Sequence, residues 1–384
     1  MQKLLRLTTI DLSLDKLVLG QLKFMSQYYE ILGVAADTGL LQEVGKREGI
    51  RVIDIPMHRE ISLVSDIKCL WKLYNLFRKE RPYILHCNTP KGSLLGLLAG
   101  KWAGVHHRVY TVTGLRYQGS KGFFRWVLKL METVSCYCAT KVIPEGQGVL
   151  QTLQSDHITR KPLRVLHHGN INGIDIRYYS RQRVQQEGCS ISGEALGLLE
   201  SDFVFVFVGR IVKDKGMNEL ANAMQELNCK LLLVGSFDDD DPLNENCRVF
   251  LQTSPKVKCV GWQEDVRPYL AVADALVFPS YREGFPNVPI QAGAMDLPCI
   301  VTDINGCNEI IKDGINGKII NAPMNVGSVV MQNELTNTMQ WFLDNPAEVK
   351  QMSSKAREMV ASRFEQRDVW EATLQMYKNL QNKR

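Results

Sequence analysis

The chain has no run of apolar residues that approaches the roughly 20 residues a membrane-spanning helix requires. Residues 1–9 have the pattern of a strand and no signal-peptide cleavage site, so we predict that the protein is not secreted. None of the ten cysteines forms a C-x-x-C pair, and several lie inside apolar runs. Buried free thiols in a reducing cytosol are therefore a better interpretation than disulfides or a zinc site.

The length of 384 residues allows two domains of ordinary size, and 45% hydrophobic with 23% charged residues excludes general disorder. Charge is distributed unevenly along the chain. Residues 1–180 carry 25 Lys+Arg against 14 Asp+Glu, a difference of +11. Residues 181–384 carry 21 against 27, a difference of −6, which together give the net charge of +5.

The basic first half suits an anionic membrane surface or a lipid that carries a pyrophosphate. Nucleic acid competes as a partner, but no known nucleic-acid motif is present, so we predict no nucleic-acid binding. An ordinary solvated basic face is the third interpretation. Residues 121–131 join aromatic and aliphatic side chains to three cations, a composition typical of a helix at a membrane interface. A core-facing helix with snorkelling lysines has the same composition.

Short apolar runs alternate with amphipathic stretches, which predicts parallel sheets covered by helices on both faces. Helical patterns include 64–78 and 92–102. The predicted strands are 4–9, 31–35, 51–55, 83–87, 108–113, 141–144, 163–167, 203–208, 230–234, 257–260, 275–278, 299–302 and 318–320. We predict a first domain over 1–180, a polar linker near 175–200, a second domain over 181–365 and a last helix over 366–384.

The most informative segment runs from Glu283 to Gln291. It follows the apolar run 275–278 and leads through small residues to a second run, 298–301, so the pattern is strand, tight loop, helix, strand. Such a loop directs backbone N–H groups and the positive end of a helix to one point, which suits an anionic phosphate. Asn287 is the better helix cap by residue type, with Glu283 the alternative.

A second segment, 208–216, follows the most apolar strand of the chain. Gly209 lets the backbone approach a ligand, and Arg210 and Lys215 present two cations at the carboxyl end of the strand. Two fixed positive charges beside a diphosphate would stabilise the charge that develops on a leaving nucleotide. A basic loop exposed to water is the alternative interpretation.

The segment from Glu283 to Gln291 resembles the signature of retaining GT-B glycosyltransferases of the large family four, in which two glutamates flank seven residues. Here the second glutamate is Gln291, a neutral side chain that can still accept a hydrogen bond from the nucleotide ribose. The resemblance implies α/β architecture of the GT-B type, with two Rossmann-like doubly wound parallel-sheet domains facing a central cleft. It also implies that the last helix crosses back to the first domain.

The resemblance assigns roles to residues of the second half. Arg210 and Lys215 would hold the donor diphosphate, and Glu283 would lie near the hydroxyls of the donor sugar, so these three are the predicted catalytic residues. The turn at Trp262 would lie against the nucleobase, although a core or rim tryptophan is the alternative. The predicted donor-binding residues are Gly209, Trp262, Phe285, Pro286, Asn287, Val288 and Gln291.

First-half motifs are less specific. Residues 86–92 resemble a stretch of transferases that build capsule, O-antigen and related lipid-linked glycans, which would place Thr89 and Lys91 at the cleft. Thr113 stands where many relatives carry a histidine, so no histidine base is assigned. Arg116 is a candidate contact for an acceptor phosphate. The predicted acceptor residues are therefore Thr89, Lys91, Thr113 and Arg116.

The resemblance implies a retaining, metal-independent hexosyltransferase of surface-polysaccharide synthesis. It would move a hexose or N-acetylhexosamine from a nucleotide-diphosphate sugar, with UDP expected, to a lipid-linked or saccharide acceptor. We expect a cytoplasmic protein at the inner face of the membrane, with no cofactor and no metal. The aspartates 238–241 are interpreted as a solvated acidic loop. The alternatives are a nucleotide-sugar 2-epimerase of the same fold and a non-catalytic nucleotide-sugar-binding protein.

Overall fold

The computed structural model describes residues 1–58 and 62–381, which form two compact units. Unit 1 holds Met1–Gly173 and the C-terminal helix from Arg367 onward, and unit 2 holds Ile174–Gln366. From the sequence we predicted domain boundaries between residues 180 and 181 and between residues 365 and 366. Positions 382–384 of the predicted last helix lie outside the described residues. No helix in the described ranges is long and apolar enough to cross a membrane.

Unit 1 is built on a six-stranded parallel sheet with the order β3-β2-β1-β4-β5-β6. The first strand of the chain is central, so the strand order reverses between β1 and β4. The middle strands are buried on both faces, which explains their nearly continuous apolar sequence. The strands are β1 Lys3–Ile10, β2 Glu30–Ala36, β3 Arg51–Asp54, β4 Ile84–Cys87, β5 His107–Val112 and β6 Lys141–Pro144.

Helices cover both faces of this sheet. The helix α5 contacts α4 on one side and α6 on the other, so these three share one face of unit 1. A 3₁₀ turn, Arg116–Gly119, joins β5 to α6. The helices of unit 1 are α1 Asp11–Leu17, α2 Gln21–Met25, α3 Leu41–Glu48, α4 Leu63–Glu80, α5 Pro90–Trp102, α6 Gly122–Cys138, α7 Gln147–Ser155 and, at the C-terminus, α17 Gln366–Gln381.

The last helix is attached to unit 1 by apolar packing and by a buried polar cluster. The hydroxyl of Tyr377 hydrogen-bonds to Nδ1 of His86 at 2.5 Å, and the same ring nitrogen contacts the buried Arg6. Nε2 of His86 pairs with the Thr111 hydroxyl at 2.7 Å. Burial and the adjacent Arg6 charge lower the pKa of His86 well below its usual value, so its ring is neutral.

Unit 2 repeats the architecture with a second six-stranded parallel sheet, in the order β12-β11-β10-β7-β8-β9. Its first strand, β7, is again central, and the order reverses between β7 and β10. The strands are β7 Val204–Val208, β8 Lys230–Val234, β9 Val257–Gly261, β10 Ala275–Phe278, β11 Cys299–Thr302 and β12 Gly317–Ile320. The prediction of two doubly wound α/β domains is confirmed.

The polar segment 175–200 is part of unit 2 and not a free linker. Val184, Leu196 and Leu198 are buried in the core of unit 2, although the segment as a whole is polar. The Arg181 guanidinium donates to three backbone carbonyls. The helices of unit 2 are α8 Arg181–Gln186, α9 Met217–Glu226, α10 Glu245–Thr253, α11 Arg267–Ala271, α12 Asn287–Ala294, α13 Cys307–Ile310, α14 Pro323–Val326, α15 Ser328–Asp344 and α16 Pro346–Phe364.

One predicted strand is wrong. Residues 163–167 follow an irregular path, and His167 adopts a positive φ of 51°. Val165 is buried, and Leu163 and Leu166 pack against the two cores of unit 1, so the apolar residues are buried without strand pairing. The prediction of free thiols holds within the described ranges, with eight cysteines buried, Cys189 half-buried and Cys259 exposed.

Candidate active site

Two loops of unit 2 meet where the strand order reverses. One follows β7 and the other follows β10, and these strands are neighbours in the sheet. The backbone N–H of Tyr281 donates to the carbonyl oxygen of Asp214 at 2.9 Å, which joins the loops directly. The Arg282 side chain adds a second link to the Asp214 carboxylate at 2.9 and 3.0 Å. Open α/β sheets bind ligands at this reversal point, beyond the carboxyl ends of the strands.

Glycine at position 216 allows the two loops to approach each other. Its φ of 71° lies in the left-handed region, and a Cβ atom there would lie 2.1 Å from the carbonyl oxygen of Pro279. Any larger residue would therefore be strained and would push the β7 loop away from the β10 loop. The preceding residue, Lys215, is held close to the β10 loop by this contact.

Lys215 and Glu283 form an ion pair across the two loops, and their side chains are only 18% and 17% exposed. The fully buried Ser280 hydroxyl donates to the same Glu283 oxygen at 2.9 Å. The carboxylate is thus oriented by two donors, one from each loop. The structure therefore brings together two of the three predicted catalytic residues and adds Ser280 to them.

Arg210, the third predicted catalytic residue, pairs with a different carboxylate. Its guanidinium lies 2.9 Å from the Asp238 carboxylate, and 62% of the Arg210 side chain is exposed. A hydrogen bond from the Asp240 backbone N–H, followed by the contact with Arg210, lowers the pKa of Asp238. The pair is formed at the surface, where such contacts contribute about 0–1 kcal/mol.

The acidic run 238–241 is more than a solvated loop, because its carboxylates hold neighbouring chain segments. Asp239 pairs with Arg248 at 2.7 Å, and Asp241 accepts the backbone N–H of Asp214 at 2.7 Å. The hydrogen bond to Asp241 thereby holds the loop that follows β7 in place. No cluster of three metal-binding side chains occurs in the part of the chain that the structure describes.

The helix α12 begins at the end of the β10 loop. Pro286 occupies the cap position with extended backbone angles, so Asn287 is the first helical residue and the expectation that it caps the helix is wrong. The Pro286 side chain makes no capping hydrogen bond. Val288 lies in the first turn. Because the first-turn amides of a helix have no partner inside it, this end is suited to an anion.

Phe285 anchors the loop to the core. Its side chain is 6% exposed, and its ring packs against that of Phe364 with centroids 5.6 Å apart. Gly306, with φ 73°, lies against the Phe285–Pro286 turn so closely that a Cβ atom would be 2.7 Å from the Phe285 Cα. The side chain of Phe285 therefore positions the loop.

Gln291 is fixed by a residue remote in sequence. Its Nε2 donates to the hydroxyl of Tyr179 at 2.9 Å, and burial raises the pKa of Tyr179. In this hydrogen bond the Gln291 amide N–H is the donor. The amide oxygen of Gln291 does not take part in it and can accept a hydrogen bond from another group. A glutamate at this position would instead accept a hydrogen bond from the tyrosine.

Trp262 directly follows β9, and its side chain is 67% exposed. The interpretation of Trp262 as a core residue is therefore excluded, and a nucleobase contact and a plain rim position both remain. The strand β8 lies between β9 and β7, so Trp262 is at the same carboxyl edge of the sheet as Gly209.

The predicted acceptor residues lie at the carboxyl edge of the unit 1 sheet. The Thr89 hydroxyl accepts the backbone N–H of Thr9 at 2.8 Å, and the Thr113 hydroxyl donates to the Asn88 carbonyl at 2.8 Å, so both threonines fix the backbone. Lys91 is nearly buried and pairs with Asp66 at 2.6 Å. Lys91 also lines a small recess with the exposed Arg116, so the structure brings these two cations to one place.

Ser280 and Tyr179 were not predicted as site residues from the sequence, and Asp238 was interpreted as part of a solvated acidic loop. Ser280 follows β10 at the same edge as Glu283, and that position is the one signal that could have identified it. Tyr179 is 112 residues from Gln291 and Asp238 is 28 residues from Arg210, so no local pattern connects either pair.

Two family models match the chain. The model of glycosyl transferases group 1 matches residues 202–345, and the model described as glycosyl transferase 4-like matches residues 21–145. The capsular polysaccharide biosynthesis glycosyltransferase CapM of Staphylococcus aureus is 30% identical over 382 residues, covering 98% of this chain and 97% of CapM. The match therefore extends over both units.

Two further likenesses agree with this match. The UDP-Gal:alpha-D-GlcNAc-diphosphoundecaprenol alpha-1,3-galactosyltransferase of Escherichia coli is 28% identical over 283 residues, covering 71% of each chain. The structure of Anabaena Alr3699/HepE in complex with UDP-glucose superposes with a TM-score of 0.75 and 19% identity, covering 100% of each chain. At that identity the likeness shows the fold, which is the fold predicted from the sequence.

We predict that Gly216→Ala disturbs this site and Gly314→Ala does not. Both glycines have positive φ, but a Cβ at Gly314 meets nothing within 4 Å. Gly314→Ala should lower the free energy of unfolding by about 1–2 kcal/mol through backbone strain alone. Gly216→Ala should add a further loss of about 1–3 kcal/mol from the contact with Pro279. Urea unfolding measures both, and equal losses would show that the close approach is absent.

Proposed function

The chain belongs to the group 1 glycosyltransferases, and from that membership we propose that it is a retaining hexosyltransferase of surface-polysaccharide synthesis. Its donor is a UDP-sugar, which serves as substrate, and no separate cofactor takes part. Unit 2 binds the donor and unit 1 binds the acceptor. The ion pair between Lys215 and Glu283 at the carboxyl edge of the unit 2 sheet is the observation that carries this proposal.

The chemistry of the cluster supports a diphosphate sugar as its ligand. Lys215 supplies a positive charge for the diphosphate, the amides at the start of α12 supply further donors, and the oriented Glu283 carboxylate accepts hydrogen bonds from sugar hydroxyls. Without a ligand, Glu283 neutralises Lys215. A bound diphosphate takes over Lys215 and leaves Glu283 to the sugar.

Breaking the ion pair between Arg210 and Asp238, so that Arg210 can bind the diphosphate, costs little free energy. The pair is exposed, and exposed ion pairs contribute only about 0–1 kcal/mol. A diphosphate carries more negative charge than one carboxylate and can accept a bidentate pair of hydrogen bonds from the guanidinium. We therefore expect Arg210 to exchange Asp238 for the diphosphate when the donor binds.

The proposed reaction retains the anomeric configuration. Arg210, Lys215 and the α12 amides stabilise the negative charge on the departing nucleotide, in the place where other enzymes use a metal ion. The acceptor hydroxyl attacks the face that the nucleotide leaves, and the departing phosphate oxygen takes its proton. The Thr113 hydroxyl, which is bonded to the Asn88 carbonyl, is not a base at neutral pH, so the mechanism assigns no histidine or threonine base.

UDP is the proposed nucleotide. The Anabaena structure contains UDP-glucose, and the name of the E. coli relative specifies UDP-Gal. In this chain the exposed Trp262 offers an aromatic face to the base, and the amide oxygen of Gln291 offers an acceptor to the ribose. The transferred sugar is a hexose or an N-acetylhexosamine.

The proposed acceptor is a lipid-linked saccharide. The E. coli relative acts, by its name, on alpha-D-GlcNAc-diphosphoundecaprenol, and the first half of this chain is basic enough to attract a diphosphate. Lys91 and Arg116 line one recess of unit 1, where they can meet this group. The remaining proposed contacts are Thr89 and Thr113 at the same edge.

Unit 1 also has a face suited to the inner surface of the membrane. On α6, Phe123 and Trp126 are 78% and 58% exposed, whereas Leu128 and Cys136 on the same helix are buried. On α4, Ile67 and Trp71 are similarly exposed. Along α6, Phe123 and Trp126 are interspersed with the cations Lys121, Arg125 and Lys129. The apolar and cationic side chains together support peripheral contact with anionic lipid.

We predict that Lys215→Ala lowers kcat by about 100-fold or more, because the transition state loses its nearest cation at the leaving group. The matched control is Lys213→Ala, which removes an exposed lysine from the same turn and should leave kcat within about threefold. The measurement is UDP release from a UDP-sugar with and without a lipid-diphosphate acceptor. An unchanged kcat in Lys215→Ala would contradict the donor site. Free sugar and UDP formed at full rate without any acceptor would favour the 2-epimerase.

We predict that Phe123→Ser combined with Trp126→Ser lowers binding to vesicles of phosphatidylglycerol and phosphatidylcholine by about tenfold or more. The reason is that two large side chains lose their burial in the lipid interface. Trp262→Ser, which removes another exposed tryptophan, this one from unit 2, should leave vesicle binding unchanged. Co-sedimentation measures all three proteins. Equal binding by the double variant and the wild type would refute the membrane face.

A further inference from the structure

The helix α12 carries proposed donor contacts of unit 2, although it is only eight residues long. Its first turn supplies amides to the diphosphate, and Gln291, farther along the helix, is the proposed contact for the ribose. A helix of this length is about 12 Å long and is not stable by itself in water, so its position depends on packing. The contacts that hold α12 therefore decide where its donor-binding groups lie.

The half-buried Arg357, on α16, binds the carboxyl end of α12. Its Nη1 donates to the carbonyl oxygen of Ala294, the last residue of α12, and to that of Tyr179 at 2.8 Å. Its Nη2 donates to the carbonyl oxygen of Ile176 at 2.5 Å. Arg357 thus joins the end of α12 to the segment 176–179.

A second half-buried arginine, Arg181, binds the same end of the helix. Its Nε donates to the carbonyl oxygen of Met295, directly after α12, at 3.1 Å. Its other two nitrogens donate to the carbonyl oxygens of Ala271 and Ala273, which precede β10. The last carbonyls of a helix have no partner inside it and form the negative end of the helix dipole, so two cations here stabilise α12.

The two guanidinium charges are held by carbonyl dipoles. All six acceptors of these hydrogen bonds are backbone carbonyl oxygens. Burial lowers the pKa of Arg181, and the charges of Asp296 and Asp274 offset only part of this effect. The planar fork of an arginine fixes the relative positions of the carbonyls it joins, which suits a requirement for accurate placement of the helix.

Tyr179 connects these arginines to the proposed ribose contact. Its carbonyl oxygen accepts from Arg357, and its hydroxyl accepts from Nε2 of Gln291 at 2.9 Å. The α16 helix also lies so close to α12 that a Cβ atom at Gly293 would be 2.7 Å from Cγ2 of Val360. A shift of α12 along its axis or about it would therefore break the arginine contacts, the Gln291 bond or this packing.

We propose that Arg181, Arg357 and Tyr179, together called the α12 clamp, are positioning residues of the donor site. They hold α12 from the end opposite its first-turn amides, in the place where those amides meet the diphosphate and Gln291 meets the ribose. The clamp acts through α12 and does not touch the nucleotide. This inference rests on the proposed transferase function and deepens it, because it names residues that determine how the ribose is recognised.

A purely structural role for the clamp makes a different prediction. If the same contacts only stabilise unit 2, their removal lowers the melting temperature and leaves the selectivity of the folded protein for its ligands unchanged. A positioning role predicts that the folded variants lose selectivity at the ribose, because Gln291 no longer lies where the ribose hydroxyls bind.

The test compares UDP with 2′,3′-dideoxy-UDP, which lacks both ribose hydroxyls, in calorimetric binding to the full chain below its melting temperature. We expect the wild type to bind UDP about tenfold more tightly or better, because the dideoxy compound leaves the Gln291 acceptor unpaired. Tyr179→Phe, Arg181→Met and Arg357→Met should each reduce this preference to about threefold or less. Arg357→Lys keeps the charge without the planar fork and should retain part of the preference.

Lys161→Met is the matched control. Lys161 of unit 1 also donates to three backbone carbonyls at the end of a helix, those of Cys136 at 2.6 Å, Tyr137 at 3.0 Å and Ala139. Its loss should lower the melting temperature, as in the arginine variants, without changing the preference for UDP. Tyr179→Phe removes a single hydroxyl, so the test stands even if an arginine variant does not fold.

Equal affinity of the wild type for the two nucleotides would overturn the inference. A preference that survives Tyr179→Phe and each folded arginine variant would do the same, as would an equal loss of preference in Lys161→Met. Binding of UDP by the wild type in any of these cases confines the failure to the α12 clamp. No binding of UDP at all would instead count against the proposed transferase function.

Discussion

The ion pair between Lys215 and Glu283 is the contact on which the arrangement of the donor site depends. It joins the loops that follow β7 and β10, and these loops meet because β7 is the central strand of a doubly wound sheet. Gly216 makes the approach possible, and Ser280 fixes the carboxylate from the other side. One topological feature thus places a cation, a carboxylate and the start of α12 at one edge.

The charges of this edge are balanced before any ligand binds. Lys215 is neutralised by Glu283 in a half-buried position, and Arg210 is neutralised by Asp238 at the surface. A bound diphosphate would replace Glu283 as the partner of Lys215 and Asp238 as the partner of Arg210. The exposed pair with Asp238 is the easier to exchange, because solvent already screens it. The half-buried pair gives the site its specificity, since its geometry is fixed by Ser280 as well as by charge.

Most of the fold could be predicted because strands buried on both faces have nearly continuous apolar sequences. The pattern failed at 163–167, where apolar residues are buried without strand pairing, and at 175–200, where buried and partly buried apolar residues attach a mostly polar segment to unit 2. Loop residues at strand ends, such as Lys215 and Glu283, were identified from position and residue type. Tyr179 was not, because its role depends on Gln291, a neighbour 112 residues away in the sequence.

The most direct measurement is a crystal structure of the full chain with UDP. The proposed donor site predicts that the diphosphate lies at the start of α12, with Nζ of Lys215 moved from Glu283 to a phosphate oxygen and Arg210 released from Asp238. Glu283 should then be free to receive the hydroxyls of a donor sugar. A diphosphate bound away from the edge of β7 and β10, with the pair between Lys215 and Glu283 intact, would contradict the account.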